Sequence, residues 1–345
     1  MKKYKGIMAL SAVMVLAACG NENAEETEDP QEENAAEETE ENEGEPENIE
    51  EEENAENNGG EEASGEFPVT ITDHAGEEVT IDEQPESIIT LQPSDTETLF
   101  AIGAGDRLVG VSEFCNYPEE ALEIENVGAQ DMDVERILEL EPDLAFVSGY
   151  HHSSHSDILD QYREAGIDVV VVDGPESFDA TYDTISMIGE ASGNTEEADE
   201  VVEEMQQGME DLAEQAEAVD EDDRKSVWVE VAPSPDIFTT GEGTFMHEML
   251  ETINAENAAA EFEGWANISE EEIVTLEPDT IITTYGYYVD DPEEEILSRD
   301  GWSSVPAVEN EDIHDIDSDQ VTRSGPRLVE GTRELAEAVY PDVFE

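Results

Sequence analysis

The feature that most constrains this chain is an eleven-residue motif that occurs twice, at residues 133–143 and 269–279. Each copy reads as a short helix that begins with a capping Asp or Ser and ends before a proline, with an apolar strand following at 144–147 or 280–283. Two copies at so long a spacing exclude a solenoid and indicate two similar lobes, with a site expected between them. The six identical pairs are Glu135/Glu271, Ile137/Ile273, Leu140/Leu276, Glu141/Glu277, Pro142/Pro278 and Asp143/Asp279.

The first 18 residues have the pattern of a bacterial lipoprotein signal peptide. Three lysines precede an apolar run at 7–18, which is too short to span a bilayer as a mature helix. Small residues lead directly to Cys19, the residue that would receive the acyl chains. We therefore expect the mature protein to be anchored by lipid to the outer face of the cell membrane, without a transmembrane helix. Cys115 is the other cysteine, so no internal disulfide is expected.

Residues 19–66 read as an acidic, disordered tether. Positions 21–66 hold 22 Asp or Glu and no Lys or Arg, with too little apolar surface to offset the chain entropy. The remaining residues, 67–345, carry 73 acids against nine bases, a net charge of about −64. This charge excludes nucleic acid as a partner and disfavours flat contact with anionic lipid. It also suggests a host adapted to salt or alkali, in which acidity serves solubility.

Beyond the tether, strands and helices alternate in two series, which predicts an α/β fold of two Rossmann-like lobes with central sheets. We place the first lobe at 67–192, the interlobe helix at 193–220 and the second lobe at 221–345. In the first lobe the predicted elements are a hairpin at 69–81, strands at 88–91, 108–111, 144–147 and 167–172, a helix opened by a capping box at Ser94 and Glu97, and helices at 133–141 and 157–165. In the second lobe they are strands at 227–231, 280–283 and 312–316 and helices at 245–253, 269–277 and 326–339.

Residues 195–219 predict one continuous helix between the lobes. Apolar side chains recur there at helical spacing, with no proline and a single internal glycine, Gly208. A helix of about 24 residues would be about 36 Å long, enough to run the height of a domain. Because one stiff helix hinges less freely than several extended strands, we expect only small opening and closing of the cleft.

Four kinds of segment then point to one family: residues 110–118, both copies of the motif, residues 301–308 and residues 318–327. In their order and spacing over 67–341, the chain resembles the periplasmic binding proteins that feed ABC importers of vitamin B12, iron siderophores and haem. The Phe-Cys-Asn-Tyr-Pro and Arg-Ser-Gly-Pro-Arg segments are most similar to the cobalamin-binding branch. The resemblance implies two lobes bridged by one helix, a ligand in the cleft between them, and a membrane permease with its ATPase as partner. We expect a monomer with no resident cofactor.

The helical wheel places Glu135 on the solvent side of its motif helix. Glu135 lies about 160° from Ile137 and about 140° from Leu140 around the axis, so it points away from the core. In the resembling family an acidic residue on each lobe pairs with arginines of the permease, and Glu135 and Glu271 fall on the matching positions. The resemblance thus implies that these two glutamates dock the permease. The alternative is that acids are merely favourable in the first turn of a helix.

The candidate cleft residues lie on loops that leave the carboxyl ends of strands, where open α/β sheets bind ligands. The aligned repeats place two such loops, at 148–152 and 284–288, face to face. Aromatic walls suit a large flat ligand such as a corrin or porphyrin, and tyrosine adds a polar group. Any single aromatic could equally be packing filler. The ligand-binding candidates are Phe114, Tyr117, Tyr150, His151, His152, Trp265, Tyr285, Tyr287 and Tyr288.

Arg323 completes the candidate set. Arg323 and Arg327 belong to a loop that the family places near the cleft, and a guanidinium fork can hold a phosphate, carboxylate or amide oxygen. An intramolecular ion pair is the alternative in so acidic a chain. We expect Arg323 to contact ligand and Arg327 to be structural, while Trp302 reads as a core anchor.

The histidines at 151, 152 and 155 invite a metal-binding interpretation. Adjacent residues do not easily face one ion from a strand or helix, and no second set of regularly spaced ligands is nearby. We expect no protein metal site, but an axial contact from His151 or His152 to cobalt or haem iron stays open. Cys115 could be a soft ligand, although a lone part-buried thiol is more often a packing residue.

Together with these residues, the resemblance implies a solute-binding component of an ABC importer that captures a bulky metal chelate and is not an enzyme. A corrinoid such as cobalamin is the first expectation, and an iron siderophore or haem is the alternative. A rival of another class is a secreted metal-dependent hydrolase that uses His151 or His152 with an acid. The sequence has no Gly-x-Ser-x-Gly elbow, His-Glu-x-x-His helix or phosphate loop to support it. A surface adhesin, for which the tether alone would serve, is a third class.

Overall fold

The computed structural model describes residues 67–344. The predicted signal peptide, the lipidated Cys19 and the tether lie outside the described residues. The described part begins with an antiparallel hairpin of β1 (Val69–Thr72) and β2 (Glu78–Ile81), as the alternating sequence predicts.

The first lobe is built on a four-stranded parallel sheet. Its further elements are β3 (Ile88–Thr90), α1 (Pro93–Ala101), β4 (Leu108–Gly110), α2 (Val134–Leu140), β5 (Leu144–Ser148), α3 (Gly149–Ser154), α4 (Ser156–Glu164), β6 (Asp168–Val172) and α5 (Phe178–Ser192). The strand order is β4-β3-β5-β6, so the chain crosses from one side of β3 to the other after β4. Parallel neighbours need such crossovers, and helices provide them.

Helix α6 (Thr195–Ala216) follows and runs alongside both lobes. It packs against α5 of the first lobe and against helices of the second lobe described below. The helix is three residues shorter than the sequence predicts, because the N–H groups of residues 217–219 bond to carbonyls three residues back and tighten the last turn. Just beyond this turn, Asn254 Nδ2 donates to the carbonyl of Val219 at 3.1 Å.

The second lobe repeats the parallel sheet. Its elements are β7 (Ser226–Glu230), β8 (Phe238–Thr240), α7 (Phe245–Thr252), β9 (Glu256–Asn257), β10 (Trp265–Asn267), α8 (Glu270–Leu276), β11 (Thr280–Thr283), α9 (Pro292–Leu297), α10 (Pro306–Asn310), β12 (Ile313–Asp315), α11 (Ser318–Thr322), α12 (Leu328–Val339) and α13 (Pro341–Phe344). The parallel order is β12-β11-β7-β9, and β8 and β10 form a separate antiparallel pair. Two parallel-sheet lobes confirm the predicted α/β fold.

The two copies of the motif begin in the same way. The side chain of Asp133 accepts the backbone N–H of Arg136 at 3.0 Å and caps α2. The side chain of Ser269 accepts the N–H of Glu272 at 3.4 Å and caps α8. Both caps confirm the helix starts that the sequence predicts.

The two copies also end in the same way, and the shared aspartate explains why. Asp143 Oδ2 accepts the N–H of Ser87, just before β3, at 2.9 Å. Asp279 Oδ2 accepts the N–H of Ser226, at the start of β7, at 3.0 Å. In each lobe the aspartate before one strand thus fixes the start of the neighbouring parallel strand.

One apolar cluster extends through both lobes along α6. It contains Phe146 and Val170 from the first sheet, Val229 and Ile282 from the second, and α6 residues such as Leu212. The opposite face of each sheet has a cluster of its own. Because a close-packed core resists deformation, the shared cluster favours the small lobe movements expected from a single connecting helix.

The glycine at position 208 has a packing role in this arrangement. A Cβ added to Gly208 would come within 2.6 Å of Val329 Cγ1 in α12. The missing side chain lets α6 and α12 approach closely, which offsets the cost of glycine inside a helix.

The predicted capping box at Ser94 and Glu97 is wrong. Helix α1 begins two residues earlier than that box requires, at Pro93, and its N-cap is Gln92, whose side chain makes no capping hydrogen bond. Proline is favourable at the first helical position because its φ angle is already helical and it lacks the N–H that would be unpaired there. Glu97 is instead free to point into the interlobe contact described below.

Candidate functional site

Loops at the carboxyl ends of strands in both lobes surround one cavity of about 790 Å³. The first lobe contributes Pro93 at the start of α1 and residues of the segment 113–116 after β4. The second lobe contributes Thr284 and Tyr287 after β11, and residues of the segment 315–323 that includes α11. The cavity therefore lies between the lobes, at the strand ends where open α/β sheets bind ligands.

Three of the predicted ligand-binding residues line this cavity together: Phe114, Tyr287 and Arg323. Phe114 comes from the first lobe and is 59% exposed, and Tyr287 comes from the second and is 79% exposed. Exposed aromatic side chains on both walls give a flat ligand apolar surface to stack against.

Arg323 joins the lobes beside the cavity. Its Nη1 donates to Glu97 Oε1 and to Asn116 Oδ1, both at 2.8 Å. Its Nη2 lies 2.8 Å from Asp319 Oδ1 and donates to the carbonyl oxygen of Phe114 at 3.3 Å. The guanidinium thus binds groups of the protein itself, which is the alternative that the sequence left open for it.

Two acidic side chains of α1 are buried, Asp95 and Glu97, and Glu97 takes part in this contact. Burial raises the pKa of the Glu97 carboxyl, against the opposing hydrogen bond and charge of Arg323. Burial also raises the pKa of Asp95 to about 7, and the amide of Gln92, 3.3 Å away, opposes this weakly. Sequence reasoning missed Asp95, because an acid in the first turn of a helix reads as a favourable surface residue.

Residues 88–320 match the periplasmic binding protein family, over two parallel-sheet lobes with a cavity between them. The chain belongs to this family. It is 41% identical, over 347 residues and 100% of both chains, to an uncharacterized ABC transporter substrate-binding lipoprotein, YvrC, of Bacillus subtilis. It is 30% identical to a vitamin B12-binding protein of Salmonella choleraesuis, covering 73% of this chain and 89% of that relative. A solved structure from Staphylococcus epidermidis, described as a possible iron-binding periplasmic solute-binding protein, is 32% identical with a TM-score of 0.68, covering 75% of this chain and 100% of that one.

Within this periplasmic binding protein fold, the position of Tyr285 differs from the sequence prediction. We expected Tyr285 on the cleft surface, but its side chain is fully buried and its hydroxyl donates to Glu230 Oε1 at 2.8 Å. Glu230 is itself fully buried and needs donors, which is why the tyrosine turns inward. Burial, together with the nearby Glu230 charge, raises the pKa of Tyr285.

The prediction that His151 is a cleft residue on a loop is also wrong. The segment 149–154, read as a loop, forms the short helix α3, and His151 is buried in it. Its Nε2 donates to the carbonyl oxygen of Ala129 at 2.8 Å, and its Nδ1 accepts the N–H of Ser148 at 3.1 Å. Both ring nitrogens are therefore engaged, so His151 offers no lone pair to a metal chelate. Burial lowers the pKa of this imidazole and favours its neutral form.

Other predicted aromatics lie outside the cavity. Tyr150 is exposed and packs edge-on against His151, and His152 is half-buried on the same helix. Trp265 is exposed on β10 and packs edge-on against Phe245. Tyr288 is exposed and lies beside the cavity residue Tyr287, with ring centroids 4.6 Å apart. Of these, Tyr288 lies against a residue of the cavity wall.

Tyr117 lines a second, smaller interlobe cavity of about 440 Å³. The guanidinium of Arg327 lies over its ring, 4.0 Å from the centroid. Arg327 Nη1 is also 3.7 Å from Glu97 Oε1, so a second cation approaches the buried carboxylate. Arg327 therefore contacts groups of the protein, consistent with the structural role expected for it. Trp302 is buried in the core of the second lobe, as expected for a core anchor.

Glu135 and Glu271 lie at matching positions on α2 and α8. Both side chains are exposed, and each is in the first turn of its helix. Their exposure agrees with the helical-wheel argument, while their role in docking stays a prediction.

Among residues 67–344, no group of three or more His, Cys, Asp or Glu side chains is arranged to hold a metal ion. In the same residues, no helix combines the length and the apolar character needed to cross a bilayer. Cys115 is buried, and its Sγ lies 3.0 Å from Thr96 Oγ1. Burial raises the pKa of this thiol, which disfavours the thiolate that a soft metal ligand requires.

Proposed function

We propose that this protein captures a bulky metal chelate between its lobes and delivers it to a membrane permease, and that the chelate is a corrinoid in preference to a ferric siderophore or haem. As a member of its family, the chain is a solute-binding component of an ABC transporter. The finer statement about the ligand rests on the site and on the names of relatives.

The observation that carries the proposal is the cavity of about 790 Å³, to which both lobes contribute. Ligand sites for molecules of this kind are concave and largely apolar, with a few placed polar groups. Phe114 and Tyr287 supply aromatic surface from the two sides, and Thr284 and Asn116 supply polar atoms. A relative that binds vitamin B12 by its name favours a corrinoid as the occupant.

We also propose how the protein is held and presented. The N-terminal pattern supports an acyl anchor on Cys19 at the outer face of the membrane, with residues 21–66 as an acidic spacer that keeps the monomeric body away from anionic lipid. Glu135 and Glu271, one on each lobe, would then meet arginines of the permease. Docking both lobes at once would hold the cleft over the permease pore.

A catalytic role is not part of the proposal. The rival hydrolase needed His151 or His152 as a general base next to an acid. Both ring nitrogens of His151 are engaged inside the protein, and His152 lies on α3, away from the cavity. Neither residue meets the geometric condition for that chemistry.

The test is a calorimetric titration of the purified protein with cyanocobalamin, with haemin and with a ferric siderophore, each in a separate experiment. We expect saturable one-to-one binding of cyanocobalamin. Tyr287→Ala should weaken that binding by at least tenfold, because the aromatic wall is lost. Tyr150→Ala is the matched control: it removes an exposed tyrosine outside the cavity and should leave affinity unchanged. Tighter binding of haemin or the siderophore would replace the corrinoid, and no binding of any chelate would refute the proposal.

A further inference from the structure

The charged side chains that line the interlobe cavity are strongly unbalanced. In the part of the chain that the structure describes, they are four carboxylates and one guanidinium, a formal charge of −3. They are Glu113, Asp315, Asp317, Asp319 and Arg323.

The strongest hydrogen-bond donors of the cavity already have partners within the protein. Arg323 binds Glu97, Asn116 and Asp319, as described above. Asn116 Nδ2 donates to Asp319 Oδ2 at 2.7 Å. An anionic group on a ligand would therefore have to compete with acceptors of the protein for the guanidinium of Arg323 and the amide of Asn116.

The acceptors, in contrast, are open. Asp315 uses only Oδ1, which accepts from Thr283 Oγ1 at 2.7 Å and from the N–H of Gly286 at 3.0 Å. Asp317 uses Oδ1 to accept the N–H of Asp319 at 2.8 Å. Glu113 is exposed and accepts no hydrogen bond from the described residues. Ionised carboxylates can only accept, so they require donors from whatever fills the cavity.

An independent feature of the cavity wall also points to a ligand. Thr284 is 1% exposed and lines the cavity, and its Oγ1 has no hydrogen-bond partner among the described residues. Buried hydroxyls in native proteins are normally paired with protein, water or ligand. A polar ligand group at this wall would supply the missing partner.

We propose that the cleft selects a chelate whose rim carries N–H donors, as primary amides do, and discriminates against a rim that carries carboxylates. This inference rests on the proposed function, because it assigns the chemistry of the ligand in the same cleft. An amide N–H satisfies the open oxygens of Glu113, Asp315 and Asp317. A ligand carboxylate brings no donor and meets like charge instead.

The candidate ligand classes differ in the chemical groups at the rim of the chelate, so this preference distinguishes between them. A corrinoid has a rim of primary amides, whereas haem presents two carboxylates and many ferric siderophores are anionic. Among chelates of similar size, the cleft chemistry thus favours the corrinoid for a reason that is independent of any relative.

The experiment compares cyanocobalamin with its monocarboxylic derivatives, in which one rim amide is replaced by a carboxylate of the same size. Affinities are measured by calorimetry at pH 7.5, in 50 mM and in 1 M salt. The carboxylate should bind about tenfold more weakly at low salt. At 1 M salt the difference should shrink, because the Debye length falls to about 3 Å.

A double variant that neutralises two cleft carboxylates tests whether the cleft causes the difference in affinity. Glu113→Gln combined with Asp317→Asn should narrow the difference between the two ligands, and the Asn side chain retains the acceptor that caps α11. The matched control is Glu203→Gln with Glu210→Gln, which removes two exposed charges from α6, outside the cavity. The control should leave the difference unchanged.

The outcomes distinguish a failure of this inference alone from a failure of the proposed function. Equal binding of amide and carboxylate forms at low salt would overturn the inference and leave corrinoid capture standing. A difference that the α6 control narrows as much as the cleft variant would also overturn it, since overall charge would then be the cause. Failure of both corrinoids to bind, with haemin bound instead, would overturn the proposed function and the inference together.

Discussion

Arg323 Nη1 donates to Glu97 Oε1 at 2.8 Å, and this buried contact connects residues 226 positions apart in the two lobes. The Glu97 side chain is 2% exposed and that of Arg323 is 15% exposed. A carboxylate buried this deeply is stable as an anion only while a cation pairs with it. The contact therefore belongs to the stability of the lobe arrangement as well as to the cleft.

Arg323→Ala should destabilise the protein by about 3 kcal/mol near pH 8, because it leaves Glu97 charged and buried with Arg327 as a distant partner. The loss should be smaller at pH 5. Burial already raises the pKa of Glu97, and removal of Arg323 raises it further, so the carboxyl of the folded variant takes up a proton more readily as the pH falls. Urea denaturation at both pH values measures this. In a Glu97→Gln background, Arg323→Ala should cost the same free energy of unfolding at both pH values. In the wild-type background, an equal cost at both pH values would contradict the argument.

The buried Asp95 should make the stability of the wild-type protein depend on pH. Its pKa is raised by burial from 3.8 to about 7, so the unfolded chain releases this proton first as pH rises. The unfolded state then binds fewer protons than the folded state between about pH 4 and 7, and stability falls across that window by roughly 4 kcal/mol at most. Asp95→Asn should raise the unfolding free energy at pH 8 and flatten this slope. A variant that is less stable than wild type at pH 8 would count against the buried, proton-binding carboxyl.

Arg299 and Glu230 form a second buried pair, within the second lobe. Arg299 Nη1 and Nη2 donate to the two oxygens of Glu230 at 3.0 and 2.6 Å, and both side chains are nearly inaccessible. Arg299→Ala should cost on the order of 3 kcal/mol, because Glu230 remains buried with only Tyr285 and Trp228 as donors. Urea denaturation should show a clearly lower midpoint.

The control for Arg299 is Arg136→Ala. Arg136 pairs with Glu125 at 3.0 Å on the surface, where solvent screens the interaction. Its removal should shift the urea midpoint little. Equal shifts for the two variants would contradict the distinction between buried and exposed pairs.

Much of the fold could be predicted from the sequence because the relevant signals are local and repeated. The caps at Asp133 and Ser269, the hairpin and the long helix each depend on residues within one segment. The predicted cap at Ser94 was wrong because a competing local signal, Pro93 at the first helical position, starts the helix before Ser94. The hydrogen bond from Asn254 to the carbonyl of Val219, just beyond α6, joins residues that no local pattern connects.

The site was less predictable because a side chain's direction depends on partners elsewhere in the chain. Tyr285 and Tyr287 are two residues apart, yet one binds the buried Glu230 and the other faces the cavity. His151 turns inward to the carbonyl of Ala129, which is 22 residues away. The exposure of Glu135 could be predicted, because the helical wheel alone fixes it.

The last prediction concerns docking. Glu135→Lys with Glu271→Lys reverses one exposed charge on each lobe, and neither residue lines the interlobe cavity. Ligand affinity and the urea midpoint should therefore match wild type. Uptake of labelled cyanocobalamin in cells that depend on this protein should be abolished, because the two lysines would repel the arginines that we propose on the permease. The matched control reverses Glu141 and Glu277, exposed acids at the matching C-caps of the same two helices, and should leave uptake intact. If the control abolishes uptake as fully as the Glu135/Glu271 variant, general surface charge is responsible and these two glutamates have no specific docking role.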